Sequence, residues 1–84
     1  MEYDVIAELK IYVQDNSHIP GVKQEIEKIV KVQKFWEEEL AFGLKALKAT
    51  ILVSDKEGGM TEVEEKIKKI ENVSELEVEN VGRI

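Results

Sequence analysis

Odd-numbered positions from 3 to 13 read Tyr3, Val5, Ala7, Leu9, Ile11 and Val13, and most of the residues between them are polar. This alternation of period two predicts a half-buried β-strand over residues 3–13. The polar run Asp15-Asn16-Ser17-His18 leads into Ile19-Pro20-Gly21. Within a helix proline is tolerated only in the first turn, so a helix is expected to begin near Pro20. Val22, Ile26, Ile29 and Val30 then fall at i, i+4, i+7 and i+8, with Lys23, Gln24, Glu25, Glu27, Lys28 and Lys31 on the other side. That single apolar stripe predicts an amphipathic helix over residues 20–32.

Residues 34–42 place Trp36, Leu40 and Phe42 on one parity and Phe35 and Ala41 on the other, and a strand is expected there. After Gly43, the residues Leu47, Ala49, Ile51 and Val53 alternate with Lys48, Thr50 and Ser54, which predicts a strand pairing antiparallel with the one before it. Asp55-Lys56-Glu57-Gly58-Gly59 reads as a turn, and Thr61-x-x-Glu64 spells a capping box at the start of a helix over residues 61–71. Val63, Ile67 and Ile70 line its inner face, while Glu62–Lys66, Glu64–Lys68 and Glu65–Lys69 are i, i+4 pairs in the favourable order. Asn72 can close it. Leu76 and Val78 alternate with Glu75, Glu77 and Glu79 in a last strand that runs to Gly82, Arg83 and Ile84.

The order βαββαβ is that of the ferredoxin-like split βαβ domain, an α+β class with two helices on one face of a four-stranded antiparallel sheet. One domain over residues 1–84 is expected, with Val5, Leu9, Ile26, Ile29, Ile51 and Ile67 buried together. On the other face Ile6, Tyr12 and Leu52 are more apolar than solubility requires, a candidate contact surface.

With 84 residues and 43% hydrophobic against 36% charged positions, the chain can build one packed core beneath a heavily solvated surface. It has no cysteine, so disulfides and thiolate metal sites are excluded. Met1-Glu2-Tyr3-Asp4 lacks the basic start and apolar run of a signal peptide, and no stretch approaches the roughly 18 apolar residues of a membrane span. A cytoplasmic protein without membrane contact is expected. The net charge of −6 repels phosphate backbones, which disfavours direct nucleic-acid binding.

Chemistry is thinly represented. The one histidine, His18, stands in a polar turn without a second imidazole, so it reads as a solvated loop residue and not a zinc ligand. Asp55-Lys56-Glu57-Gly58 lacks the alternating acids and distant glutamate of a calcium loop. Gly58-Gly59 precedes a helix but has no nucleotide-binding glycine pattern around it. Glu37, Glu38 and Glu39 point to alternate faces if they lie in a strand, so they do not pair as acid and base, and they suit a charged edge strand. No nucleophile stands beside a base. A binding protein is expected, with neither enzymatic activity, cofactor nor metal, and three segments are candidates for the contact: Leu40-Ala41-Phe42-Gly43-Leu44-Lys45-Ala46-Leu47, the acidic turn, and the basic residue next to the last position.

These same three segments resemble the archaeal elongation factor 1-beta family and, more distantly, the exchange domain of its eukaryotic counterpart. The hairpin segment is similar to the family's most characteristic stretch, Ser54-Asp55-Lys56-Glu57-Gly58-Gly59 resembles its acidic turn, and Val81-Gly82-Arg83-Ile84 resembles its ending. The likeness runs along nearly the whole chain. It implies a guanine-nucleotide exchange factor for the elongation factor 1-alpha GTPase in translation elongation, with no active site in the usual sense. It also implies that an aromatic at the hairpin tip, here Phe42, and a basic residue near the end, here Arg83, press on the GTPase near its magnesium and phosphate loop, with Gly43 and Lys45 in the same binding motif. Arg83 stands where eukaryotic members have lysine, Glu39 where proline is common, and Met60 where threonine is frequent. On the residues alone, a ferredoxin-like RNA-binding domain or a small-ligand regulatory domain remains the alternative.

Overall fold

A computed structural model describes residues 3–54 and 59–84. The chain order is β1 (Val5–Val13), a 3-10 turn (Asn16–His18), α1 (Ile19–Ile29), β2 (Lys31–Glu39), β3 (Lys45–Val53), α2 (Gly59–Lys68) and β4 (Val73–Arg83). The four strands form one antiparallel sheet in the order β2-β3-β1-β4, as the alternation predicts for a βαββαβ chain.

The central strands β1 and β3 turn their odd residues to one face. Val5, Ala7, Leu9 and Ile11 meet Leu47, Ala49, Ile51 and Val53 there, under Ile19, Val22 and Ile26 of α1 and Val63 and Ile67 of α2. Each fully buried Leu or Ile in this layer contributes about 1.5–3 kcal/mol relative to exposure. Five of the six expected core residues are buried, and Ile29 packs half-buried against them.

Several element boundaries differ from expectation. Helix α1 ends at Ile29, three residues early, because Val30 turns extended (φ −149°, ψ 157°) while its N–H still bonds to Ile26 O. Lys31 and Val32 are already paired with Leu52 and Ile51 of β3, so sheet pairing takes over the last residues of the expected helix. Strand β2 therefore covers 31–39 and not 34–42, which leaves Phe42 outside it. Strand β3 starts at Lys45, two residues before the predicted alternation.

The capping-box reading of Thr61 fails. Helix α2 already runs from Gly59, whose φ of +61° admits the chain from a left-handed conformation open to glycine, and Thr61 lies exposed inside the first turn. The helix ends at Lys68, ahead of the expected residue 71. Asn72 does close the segment, in the left-handed region at φ +77°, with its carbonyl taken by Gln14 N–H at 3.0 Å. Of the three predicted helical pairs, Glu62–Lys66 closes at 3.0 Å and the other two do not come within ion-pair distance. Most of the acidic turn, Asp55 to Gly58, lies outside the described residues. None of the described helices is long and apolar enough to cross a membrane.

Candidate partner interface

The β2–β3 connection is a narrow tip. Leu40 N–H bonds to Leu44 O at 2.7 Å and Leu44 N–H to Ala41 O at 3.3 Å. Between them Phe42 (φ 61°, ψ 32°) and Gly43 (φ 76°) are both left-handed, the signature of a type I′ hairpin turn. Asparagine or glycine usually fills the first of these positions. A phenylalanine there costs about 1–2 kcal/mol, because its Cβ crowds the following carbonyl. The ring is 100% exposed and Leu44 beside it 48% exposed, so burial returns none of that cost. The exposure rules out a core role for Phe42.

Lys45 differs from its neighbours. Its ammonium pairs with Glu37 Oε1 at 3.4 Å across the hairpin, and its backbone N–H is bonded to Asn16 Oδ1 at 3.0 Å, so it braces the tip from below.

Arg83 sits at the far end of the sheet. It pairs with Val5 at the start of β1, whereas the tip end of β3 pairs Ala46 with Tyr12 near the end of β1. Seven strand residues separate those two rungs, roughly 23 Å at the usual rise per residue. The structure thus brings Phe42, Gly43 and Lys45 together and leaves Arg83 apart from them. Arg83 is exposed beside Val81 (58% exposed) and Ile84 (71%), and Ile84 N–H to Asp4 O and Asp4 N–H to Val53 O stitch this end at 3.1 and 3.2 Å.

Between the two ends, the sheet face away from the helices is not the bare apolar surface expected. Ile6, Tyr12 and Leu52 are half-buried, and Lys48 is only 8% exposed. An ion-pair lattice crosses all four strands: Lys10 reaches Glu38 at 2.6 Å, and Lys48 reaches both Glu38 at 3.5 Å and Glu79. Glu79 is the extra residue of a β-bulge in β4, opposite the step between Glu8 and Leu9. Trp36, which the sequence pattern does not place, also lies on this face, opposite Lys48. Lys34 and Lys48 stand 4.8 and 5.7 Å from its ring centroid, and Lys10 stands 5.3 Å from that of Tyr12.

Four titratable groups among the described residues are displaced from their ordinary range. The Lys10 hydrogen bond holds the Glu38 carboxyl below its ordinary range, and Glu38 in turn raises Lys10. Glu79 raises Lys48, and the Ser17 N–H lowers Asp15. Each of these pushes a group deeper into its charged form at neutral pH, the reverse of what a general acid or base needs. Among the described residues no cluster of His, Asp or Glu converges as a metal site. His18 is half-buried at the foot of α1, on an open cleft of about 720 Å³ shared with Lys66 and Lys69.

One residue at the tip escaped sequence reasoning. Asn16, in the 3-10 turn after β1, donates from Nδ2 to Gly43 O at 2.9 Å and accepts from Lys45 N–H. Its only signal in the sequence was membership of a polar turn.

In fold, the chain is similar to the ACT domain from the GTP pyrophosphokinase of Chlorobium tepidum, with a TM-score of 0.67 over 90% of this chain and 99% of that one, at 18% identity. In sequence it is 44% identical to elongation factor 1-beta of Aeropyrum pernix, across 90% of this chain and 91% of that protein. The elongation factor 1-beta of Thermoplasma acidophilum is 40% identical across 96% and 98%, and that of Pyrococcus abyssi 33% across 99% and 98%. The profile of the EF-1 guanine nucleotide exchange domain matches residues 7–84. With the hairpin motif and the end of β4 both inside that span, the chain belongs to the EF-1 guanine nucleotide exchange domain family, alongside the archaeal elongation factor 1-beta proteins.

Proposed function

We propose that this domain promotes GDP release from the elongation factor 1-alpha GTPase during translation elongation by touching it in two separate places. The exchange role follows from family membership. The two-point contact rests on one observation above all: Phe42 is held fully exposed in a strained conformation, beyond a rung of the sheet that itself stands roughly 23 Å from the rung holding Arg83. At one end Phe42, on its Gly43 hinge, enters an apolar pocket and displaces the segments around it. At the other, the Arg83 cation competes for the metal site of the GTPase and weakens the clamp on the phosphates.

No covalent step or cofactor is needed. Because coupling between ligands is reciprocal, the domain binds the empty GTPase more tightly than the loaded one. Its partner is a cytoplasmic protein and not RNA. The two rings of the open sheet face are covered by lysines and flanked by Glu38, Glu77 and Glu79, which disfavours stacking with bases.

The test is release of a fluorescent GDP analogue from elongation factor 1-alpha. Phe42→Ala and Arg83→Ala should each slow stimulated release about ten-fold or more, about 1.4 kcal/mol in the barrier, with Tm nearly unchanged. Raised magnesium should oppose the wild type and leave Arg83→Ala little affected. Release at the wild-type rate from both variants would sink the two-point scheme.

A further inference from the structure

We infer that Asn16 is the positioning residue for Phe42, and through it for nucleotide exchange; the inference rests on the proposed Phe42 contact.

A hairpin tip with a non-glycine residue at φ +61° does not keep that shape on its own account, since the strain favours rearrangement unless the surroundings over-determine it. The two cross-strand bonds at the tip involve Leu40, Ala41 and Leu44. Gly43 O and Lys45 N–H face outward from the hairpin, and both are taken by one side chain. Asn16 Nδ2 donates to the first at 2.9 Å, and Asn16 Oδ1 accepts from the second at 3.0 Å. Those two groups lie one and three residues after Phe42 in the chain, so fixing them fixes the direction in which the ring leaves the tip. Only a carboxamide offers a donor and an acceptor side by side. Aspartate retains the acceptor alone and sets a carboxylate oxygen against Gly43 O.

Asn16 is in turn held from its own side. Asp15 caps the 3-10 turn by accepting from Ser17 N–H at 2.8 Å, His18 N–H bonds to Asp15 O at 3.0 Å, and Ile19 N–H bonds to Asn16 O. The loop that ends the central strand β1 and starts α1 therefore acts as a bracket, referring the tip to the rigid part of the molecule. The bracket lies outside the buried core, so its loss is expected to alter the tip and leave the fold standing.

Two readouts test this, one of them independent of the GTPase. In Asn16→Ala, the Phe42 backbone coupling constant and the hydrogen exchange of the Lys45 amide should move away from wild-type values, and stimulated GDP release should fall roughly five-fold or more through a higher half-saturating concentration of the domain, because fewer molecules hold the competent tip. Asn16→Asp should fall between the two. In a Phe42→Ala background, Asn16→Ala should add nothing further. An unchanged tip in Asn16→Ala overturns the inference, as does a loss of exchange that persists in full without the ring. Should Phe42→Ala itself exchange normally, the contact reading falls, and the coupling and amide measurements alone decide whether Asn16 anchors the tip.

Discussion

The two ends of the sheet present similar groups by dissimilar means. Each exposes a pair of large apolar residues, Phe42 and Leu44 at the hairpin, Val81 and Ile84 at the end of β4, and each carries a basic residue beside them. At the hairpin the apolar ring stands out and the lysine is tied back to Glu37, while at the β4 end the exposed arginine lies among main-chain bonds that extend the strand ladder. At the first end side-chain bonds from Asn16 and Lys45 supplement the main-chain turn, and at the second main-chain pairing extends the ladder. The lesson is that the first tolerates little change in residue type around it, and the second little change in strand register.

The largest effect that would sharpen this contrast is in the double variant. If the ends contact separate parts of the GTPase, Phe42→Ala with Arg83→Ala should slow GDP release by the product of the single effects, about 100-fold or 2.8 kcal/mol, since sites this far apart without shared partners act additively. A double variant no slower than the worse single one would mean that the ends form one unit.

Phe42→Asn is a smaller but more diagnostic change. It places Asn-Gly in a type I′ turn, relieves the strain, and should raise stability by about 1 kcal/mol in denaturant titration while costing exchange as much as Phe42→Ala does. Stability unchanged or lowered would show that the left-handed backbone is not strained. Arg83→Lys should have the smallest effect, within about three-fold of wild type in the release assay, if charge is what that end supplies; a loss as deep as in Arg83→Ala would assign the role to the flat, multi-donor guanidinium.

How much of this was legible in the sequence depended on what each residue answers to. The central strands were plain, because the odd residues from Val5 to Ile11 and from Leu47 to Val53 are all buried and apolar. Edge strand β2 was displaced because Val30 continues the helical stripe of α1, and only the pairing of Lys31 and Val32 with Leu52 and Ile51 shows that the strand has already begun. Thr61-x-x-Glu64 spelled a cap, but the left-handed Gly59 had already admitted the chain to the helix. Phe42 was legible only through family resemblance, and its backbone was hidden, since Phe-Gly is not the dipeptide that announces such a turn. Asn16 and the Lys10–Glu38–Lys48–Glu79 lattice were illegible for one reason: each joins residues that only the strand order brings together.

That strand order also gives the two ends different histories. The turn that presents Phe42 is closed by a bond between Leu40 and Leu44, four residues apart, while the rung that holds Arg83 joins it to Val5, 78 residues away. Closing a loop costs more entropy the longer it is, and a contact between the extremes of the sequence gains nothing until nearly everything between them has been ordered. The hairpin turn can therefore close early and take up its Asn16 bracket over 27 residues, whereas the Arg83 end exists only in a chain whose sheet is complete. If both ends act on the GTPase, as proposed above, the domain is thereby kept idle while it is still folding.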